Sequence, residues 1–470
     1  MRSQASKQRR WTLQSGERVF LLVIGDFLMA IAAAYIALTI WGSRDFLGFG
    51  LEFIRLRAPW FVALPFLWLV MMVNLYDVRR ASSLRDTLRG IFSVSLVSGL
   101  LYALLFFFLD GTLPRLGVFL FLVFASFLTL LWRLFYIRVF TAPTFMRRVL
   151  VVGAGETGRT ILKVVHDIWP PPFYLVGLVD DDPEKQGLEV EGVEVLGDNS
   201  QLLTLCTDEM ISDVIVAIMG EMSGGMFKAL LDLQEKGIQV IRMPVAYEEL
   251  LGRLPINHLE SDWLLRSFVD ELRVSAFYLM AKRLLDLFGA FMGLSVCLLI
   301  YPWAALAIAI ESGRPIFLRQ ERLGQGGRPF DLIKFRTMRQ DAEADGRAHW
   351  AKRDDPRVTQ VGRILRKTHL DEFPQFWNVL SGDMSLIGPR PERPELVADL
   401  EKQIPFYRAR LLVKPGLSGW AQVNYGKGAS VQGSAEKLEY DLYYIKHRGP
   451  MMDLWILLRT IGAIFGFRGV

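Results

Sequence analysis

Long apolar runs constrain the fold of this chain more than any other feature of its sequence. Four of them precede residue 145, at residues 19–41, 60–75, 91–109 and 116–139. An α-helix needs about 20 apolar residues to cross a bilayer, so only the second run is short. Hydrophobic residues make up 52% of the 470 residues, which is high for a soluble enzyme. The sequence therefore predicts a four-helix transmembrane domain over residues 1–145.

Basic flanks predict how these helices are oriented. Lys and Arg are concentrated in the lead (residues 1–11), in the loop between the second and third runs, and after the fourth run. The loop between the first two runs is also basic, which weakens the contrast. Because cytoplasmic flanks carry an excess of positive charge, both ends of the domain are expected in the cytoplasm. Asp26 lies inside the first run, where pairing with a neighbouring helix is as good an explanation as function.

The overall charge and the cysteines exclude several classes of protein. A net charge of +5 is modest for this length and favours anionic membranes or substrates over nucleic acid. Cys206 and Cys297 are too far apart in the chain for a disulfide framework or a metal-binding spacing.

A glycine pattern lies between two predicted strands. Residues 148–152 form the first, Gly153, Gly155 and Gly158 follow as G-x-G-x-x-G, and a second strand ends at Asp180. This order predicts a Rossmann-like domain over residues 146–250. The glycines could bind a nucleotide phosphate with Asp180 on the ribose. A structural or regulatory use of the fold is the favoured interpretation.

An acidic pair, Asp371 and Glu372, occupies the most densely charged part of the C-terminal region. Arg366 precedes Asp371 by five residues, and Arg390 stands in a Gly-Pro-Arg-Pro turn. A carboxylate that attacks a phosphate needs nearby cations to cancel the phosphate charge. A carboxylate is also a good ligand for Mg²⁺. Taken alone, however, the acidic dipeptide is better explained as the start of a surface helix.

Further blocks strengthen the first interpretation. They are Lys-Phe-Arg-Thr-Met (334–338), Asp-Pro-Arg-Val-Thr (355–359) and Lys-Pro-Gly-Leu-Ser-Gly-Trp-Ala-Gln-Val-Asn (414–424). With them, residues 277–470 resemble the bacterial sugar transferases, the monotopic phosphoglycosyl transferases. The whole chain resembles their long form. These enzymes move a hexose 1-phosphate from a UDP-sugar to a polyprenyl phosphate in the membrane.

The resemblance implies a role for each matched residue. Asp371 is expected to be the nucleophile that forms an aspartyl-phosphosugar in a ping-pong mechanism, and Glu372 the ligand of Mg²⁺. The implied phosphate-binding residues are Lys334, Arg336, Arg366, Arg390 and Lys427. Lys427 stands one position along from the basic residue that many relatives carry after residue 424. Details of residues 424–446 resemble the exopolysaccharide-initiating branch, so UDP-glucose is favoured and UDP-galactose comes next.

A further apolar run, residues 287–310, contains Pro302 and forms most of a predicted membrane helix over about residues 283–310. Crossing the membrane there would place Asp371 outside the cell, whereas nucleotide sugars are cytoplasmic. Proline kinks a helix, and the family uses a re-entrant anchor. The chain is therefore expected to break at Pro302 and return, with residues 251–276 as a linker and 277–470 as an α-rich catalytic domain. Membrane lipids, undecaprenyl phosphate and a second copy of the chain are the expected partners.

Two other functions fit parts of the sequence. A membrane-bound, NAD-dependent nucleotide-sugar dehydratase would use a Tyr-x-x-x-Lys pair, and Tyr278 and Lys282 have that spacing. They lack a glycine fingerprint before them, and the later blocks belong to the transferase. A non-catalytic scaffold that senses a nucleotide is the second alternative, against which the intact acidic pair argues.

Overall fold

The computed structural model describes residues 15–44, 50–76, 81–108, 115–140, 146–169, 171–259, 275–339, 355–426 and 430–464. The chain forms two compact units, Met1–Leu250 and Leu251–Val470. The basic lead, most of the predicted linker, and Lys427 lie outside the described residues.

Four helices form where the first four apolar runs lie. They are α1 (Ser15–Gly42), α2 (Leu51–Met71), α3 (Leu84–Phe108) and α4 (Arg115–Phe140). Among the described residues, three helices are long and apolar enough to cross a membrane. They are α1, α4 and a later helix over residues Ala276–Ser312. Helix α2 contains Pro59 and Pro65, and it contributes the shorter apolar segment Phe61–Met71.

A buried ion pair joins α1 to α4. Asp26 and Arg133 are both fully buried, and Arg133 donates from Nε at 3.2 Å and from Nη2 at 2.5 Å to the two carboxylate oxygens. Arg133 Nη1 also donates to the Leu75 carbonyl at 2.9 Å. The carboxylate in the first apolar run is thus paired across helices, which gives it a structural explanation.

A parallel sheet forms the second part of the first unit. Its strands are β1 (Arg148–Val152), β2 (Tyr174–Val179), β5 (Asp213–Val216) and β6 (Gln239–Arg242), in the order β2-β1-β5-β6. Between them lie α5 (Glu156–Asp167), the short strands β3 (Glu189–Val190) and β4 (Val193–Glu194), α6 (Leu202–Asp208) and α7 (Gly224–Glu235). Helix α8 (Met243–Leu251) follows. The two central strands, β1 and β5, are almost entirely buried, as expected inside a parallel sheet, whereas the edge strand β6 is partly exposed.

The second unit is rich in helices. It begins with α9 (Ala276–Ser312), followed by the antiparallel hairpin β7 (Phe317–Leu323) and β8 (Pro329–Phe335). Next come α10 (Gln360–Lys367), a 3₁₀ helix (Leu370–Gln375), α11 (Phe376–Ser381), β9 (Ser385–Ile387), α12 (Pro394–Leu400) and a second 3₁₀ helix (Tyr407–Leu412). The last elements are β10 (Gly416–Ser418), α13 (Trp420–Asn424), α14 (Val431–His447) and α15 (Pro450–Ile464). Strands β9 and β10 pair in parallel.

The start of the predicted linker packs into the core of this unit. Leu254 and Ile256 are buried in its main hydrophobic cluster. The Leu254 amide donates to the Glu439 carbonyl at 3.1 Å, and the Trp420 indole donates to the Gly252 carbonyl at 2.7 Å. These residues therefore belong structurally to the second unit.

Helix α9 contacts this unit on both sides of Pro302. Before the proline, a Cβ on Gly289 would lie 2.5 Å from the Leu386 side chain, so the helix approaches β9 closely. After it, Ile308 packs in a cluster with Phe335. The helix runs through Pro302 without interruption over 37 residues. Its two halves thus touch the same compact unit, and the re-entrant bend stays a prediction.

The rest of α9 is open to its surroundings. Its exposed large apolar side chains include Phe288, Phe291, Leu298, Leu299, Trp303 and Ile310. Such a continuous exposed apolar face is typical of contact with membrane lipid.

Candidate active site

A tight turn places the acidic pair at the start of a 3₁₀ helix. Helix α10 begins at the N-cap Thr359, whose hydroxyl accepts from the Gly362 amide at 2.9 Å. After the helix ends, His369 adopts a left-handed backbone conformation (φ 57°), which redirects the chain. Asp371 and Glu372 follow directly, and Asp371 is only 8% exposed. The local fold thus buries the predicted nucleophile.

The Gly-Pro-Arg-Pro turn brings Arg390 to the acidic pair. Both terminal nitrogens of Arg390 bond to the Glu372 carboxylate. Burial works to raise the pKa of Glu372, but the Arg390 guanidinium outweighs it and lowers that pKa. Two residues 18 positions apart in the chain are therefore joined as an ion pair beside the nucleophile.

The environment of Asp371 raises the pKa of its carboxyl above the usual range. Burial and the adjacent Glu372 charge raise its pKa. Lys334, Arg366 and Arg390 act in the opposite direction. A perturbed carboxyl among convergent cations is a common feature of catalytic sites.

Lys334 and Arg366 complete this group of cations. Burial, together with the positive charges of Arg322 and Arg366, lowers the pKa of Lys334 to about 8. Arg366 Nε donates to the Thr337 hydroxyl at 2.9 Å, which fixes the side chain against the end of β8. The structure thus brings together five of the residues predicted from the sequence: Lys334, Arg366, Asp371, Glu372 and Arg390.

Arg336 has a different environment. It is 5% exposed, and its Nη2 donates to the Ser312 carbonyl at 2.7 Å and to the Gly313 carbonyl. These carbonyls end helix α9, and the positive charge is favourable there. Arg336 therefore holds helix α9 to the hairpin, and its predicted phosphate contact stays a prediction. Lys427 lies outside the described residues.

Arg322 is a cation that the sequence did not single out. In the β7–β8 hairpin, Arg322 pairs with Phe330 and Leu318 pairs with Lys334. Because alternate residues of a strand share a face, Arg322 and Lys334 lie on the same face of the hairpin. Arg322 Nη1 donates to the Pro391 carbonyl at 3.2 Å, next to Arg390. Only the pairing of the two strands places Arg322 beside Lys334, and that pairing was not predicted from the sequence.

Two glycines of the loop after β1 are needed for its backbone conformation and close packing. Gly153 has a φ of 108°, and a Cβ on Gly158 would lie 2.0 Å from the Gly153 carbonyl oxygen. Gly155 has open space where its Cβ would lie. The Asp180 carboxylate accepts from the Ala154 amide at 2.6 Å. The predicted ribose ligand is thus bonded to the loop itself, and nucleotide binding stays a prediction.

Tyr278 and Lys282 lie in a buried cluster. Tyr278 donates to Asp453 at 2.8 Å and Lys282 at 2.9 Å, and Tyr444 donates to the same carboxylate at 2.9 Å. These bonds join the start of α9 to α15. The Lys282 ammonium is therefore paired inside the unit. Both members of the Tyr-x-x-x-Lys pair thus bond to the Asp453 carboxylate.

Comparison with known proteins places this site in a family. The profile described as "Bacterial sugar transferase" matches residues 277–466, and the profile "CoA-binding domain" matches residues 71–244.

Three curated relatives show the extent of the similarity. The UDP-N-acetylgalactosamine-undecaprenyl-phosphate N-acetylgalactosaminephosphotransferase of Aeromonas hydrophila is 41% identical over 49% of this chain and 54% of its own length. The UDP-glucose:undecaprenyl-phosphate glucose-1-phosphate transferase of Xanthomonas campestris pv. campestris is 30% identical over 68% of this chain and 67% of its own length. The UDP-galactose-lipid carrier transferase of Erwinia amylovora is 30% identical over 68% of each chain. The chain thus spans about half the length of the first relative and about two thirds of the other two. It belongs to the bacterial sugar transferase family, as its sequence blocks predicted.

Proposed function

We propose that this protein transfers a hexose 1-phosphate from a UDP-sugar to undecaprenyl phosphate and releases UMP. The observation that carries the proposal is the position of Asp371, a buried carboxylate among the charges of Lys334, Arg366 and Arg390. Three cations around one carboxylate suit a reaction in which the nucleophile and the electrophile are both negative. The names of the relatives supply the two substrates.

In the first step, an Asp371 oxygen attacks the β-phosphorus of the UDP-sugar. A bond forms between that oxygen and phosphorus while the bond to the bridging oxygen breaks, and UMP leaves with the electron pair. Lys334, Arg366 and Arg390 offset the charge of the diphosphate as the carboxylate approaches. They also favour the ionised form of Asp371, which is the reactive form.

In the second step, an oxygen of undecaprenyl phosphate attacks the same phosphorus. The bond to Asp371 breaks, so the carboxylate is restored and the product carries the sugar phosphate on lipid. Splitting one transfer into two displacements at one carboxylate produces ping-pong kinetics.

Mg²⁺ is the proposed cofactor. No group of three or more metal-ligating side chains occurs among the described residues. Mg²⁺ often binds through one or two carboxylates together with substrate phosphates, and Glu372 beside Asp371 fits that donor set. When bound, the ion would neutralise charge on the diphosphate.

The proposed location is the bacterial inner membrane, with the active site facing the cytoplasm. Both halves of α9 contact the unit that holds Asp371, which supports an anchor that enters and leaves by the same face. We further propose a homodimer and a structural or regulatory role for the parallel-sheet domain.

Release of UMP tests the reaction and identifies the donor together. The purified protein in detergent receives Mg²⁺ and undecaprenyl phosphate with UDP-glucose, UDP-galactose or UDP-N-acetylgalactosamine in turn. UDP-glucose is the expected donor, with UDP-galactose next. Lipid-dependent UMP from one sugar supports the proposal, and no UMP from any of them with folded protein would contradict it.

Two variants test the roles of the acidic pair. Asp371→Asn should lower turnover by about 10³-fold or more, because the nucleophile is lost. Glu372→Gln should lower the rate and weaken its dependence on Mg²⁺. Asp399→Asn is the matched control, since Asp399 is an exposed surface carboxylate that lies 3.6 Å from the Lys402 ammonium. Substantial transfer by Asp371→Asn would refute the assignment of the nucleophile.

A further inference from the structure

Three hydrogen bonds hold the backbone carbonyls of the turn that carries Arg390. Prolines at 389 and 391 have no N–H groups, so their backbone hydrogen bonds are made by their carbonyls. Before them, the Gly388 amide donates to the Ser418 carbonyl at 2.8 Å. The Pro389 carbonyl accepts from the Gly416 amide at 2.9 Å. The Pro391 carbonyl accepts from Arg322, as described above. The carbonyl of Arg390 itself is bound by a second guanidinium, that of Arg410.

Arg410 occupies the centre of a buried network behind this turn. Its Nη2 donates to the Arg390 carbonyl at 3.1 Å and to Asp441 at 2.8 Å. Its Nη1 lies 2.6 Å from the Glu392 carboxylate and donates to the Tyr407 hydroxyl at 2.8 Å. One guanidinium therefore binds the backbone of Arg390 and the side chain of Glu392, two residues further on.

Burying these charged groups costs free energy, so the network is best explained by a role that depends on its geometry. Arg410 is 5% exposed, Asp441 1% and Tyr407 1%. Buried ion pairs often stabilise a protein no better than apolar side chains of similar volume. A buried ion pair is easier to explain where it fixes one conformation of the chain. Here it fixes the turn that carries Arg390. Burial also raises the pKa of Asp441 to about 6, against the opposing charge of Arg410.

We infer that Arg410 is a positioning residue that fixes Arg390 for binding of the donor diphosphate. The inference rests on the proposed function. Arg410 itself does not touch the acidic pair. It acts by holding the carbonyl of Arg390 and the carboxylate of Glu392, while the Arg390 side chain reaches Glu372 and the phosphate. A displacement of about 1 Å at such a position can lower the rate about 10²-fold.

The test compares Arg410→Lys with Arg408→Lys. Both residues lie in the same 3₁₀ helix, but Arg408 is 62% exposed and pairs with the surface residue Glu401. Lysine keeps the charge and removes the forked donor geometry. We expect Arg410→Lys to lower kcat/KM for the donor by about 10- to 100-fold. Arg408→Lys should stay within about twofold of wild type because surface pairs contribute little.

A double-mutant cycle separates positioning from a merely structural role. In an Arg390→Lys background, Arg410→Lys should cost less than about threefold, because the group that it positions has already been changed. Equal losses in both backgrounds would overturn the inference. If Arg410→Lys does not fold, as judged by its thermal unfolding, Asp441→Asn replaces it in the cycle.

Binding of inorganic pyrophosphate, measured by calorimetry, provides a readout independent of turnover. Arg390→Lys and Arg410→Lys should both weaken it, while Arg408→Lys should not. Wild-type affinity in Arg410→Lys would overturn the inference. If the wild type releases no UMP from any UDP-sugar, the proposed reaction fails, and the pyrophosphate series still decides whether Arg410 positions Arg390.

Discussion

Raising the pH from 7 to 9 should remove the charge of Lys334 and weaken productive binding of the donor. Burial and the charges of Arg322 and Arg366 lower the pKa of this amine to about 8, whereas an unperturbed lysine has a pKa of about 10.4. With a pKa of about 8, the amine is about 90% protonated at pH 7 and about 10% at pH 9. If the charge is needed, kcat/KM for the UDP-sugar should fall about tenfold between these values.

The assay is the initial rate of UMP release at limiting donor and saturating undecaprenyl phosphate. Under these conditions kcat/KM reports the ionisation of the free enzyme. Lys334→Arg is the matched variant, because a guanidinium stays charged throughout this range. Its profile should remain flat from pH 7 to pH 9, at whatever level of activity it retains.

Two results would refute this reasoning. A flat wild-type profile would mean that the charge is not required or that the pKa is not lowered. An equal fall in Lys334→Arg would assign the titration to another group. Stability offers a second check. Between about pH 8 and 10.4 the unfolded chain binds the proton that the folded Lys334 has lost. Folding stability should therefore rise with pH across this window.

Two further predictions concern the first unit. Asp26→Leu leaves the buried Arg133 without its carboxylate and should destabilise the bundle by about 3 kcal/mol or more, whereas replacing both residues by leucine should recover most of that loss. Thermal unfolding in detergent measures the stability of both variants. A double variant as unstable as the single one would contradict the argument. Gly158→Ala places a Cβ 2.0 Å from the Gly153 carbonyl and should destabilise by about 1–3 kcal/mol. Gly155→Ala meets nothing within 4 Å and is the control, so equal effects would exclude the packing explanation.

Much of the architecture follows from local patterns. The apolar runs predicted the positions of α1 to α4, and the glycine pattern predicted the passage from β1 through a loop into α5. Helices and short buried strands have periodicities that a single sequence displays directly. The acidic pair and most of its cations were also predictable, because matched blocks carry them.

Other parts of the site have no local signal. Arg410 lies 20 residues from Arg390 and 31 from Asp441. Arg322 lies 69 residues from Pro391. Such residues look like ordinary surface charges in the sequence. Only the packed unit shows that they bind the turn of Arg390.

The sequence by itself determined the family, the apolar helices and the identity of the acidic pair, since each depends on residues that are close together in the chain. The tertiary structure alone decided the pairing of Asp26 with Arg133, 107 residues away, and the distinct environments of Arg336 and Arg390. The physical reason is that a guanidinium bonds to whichever carboxylate or carbonyl packing brings within reach. Those distances are set by contacts between elements that the sequence does not specify locally.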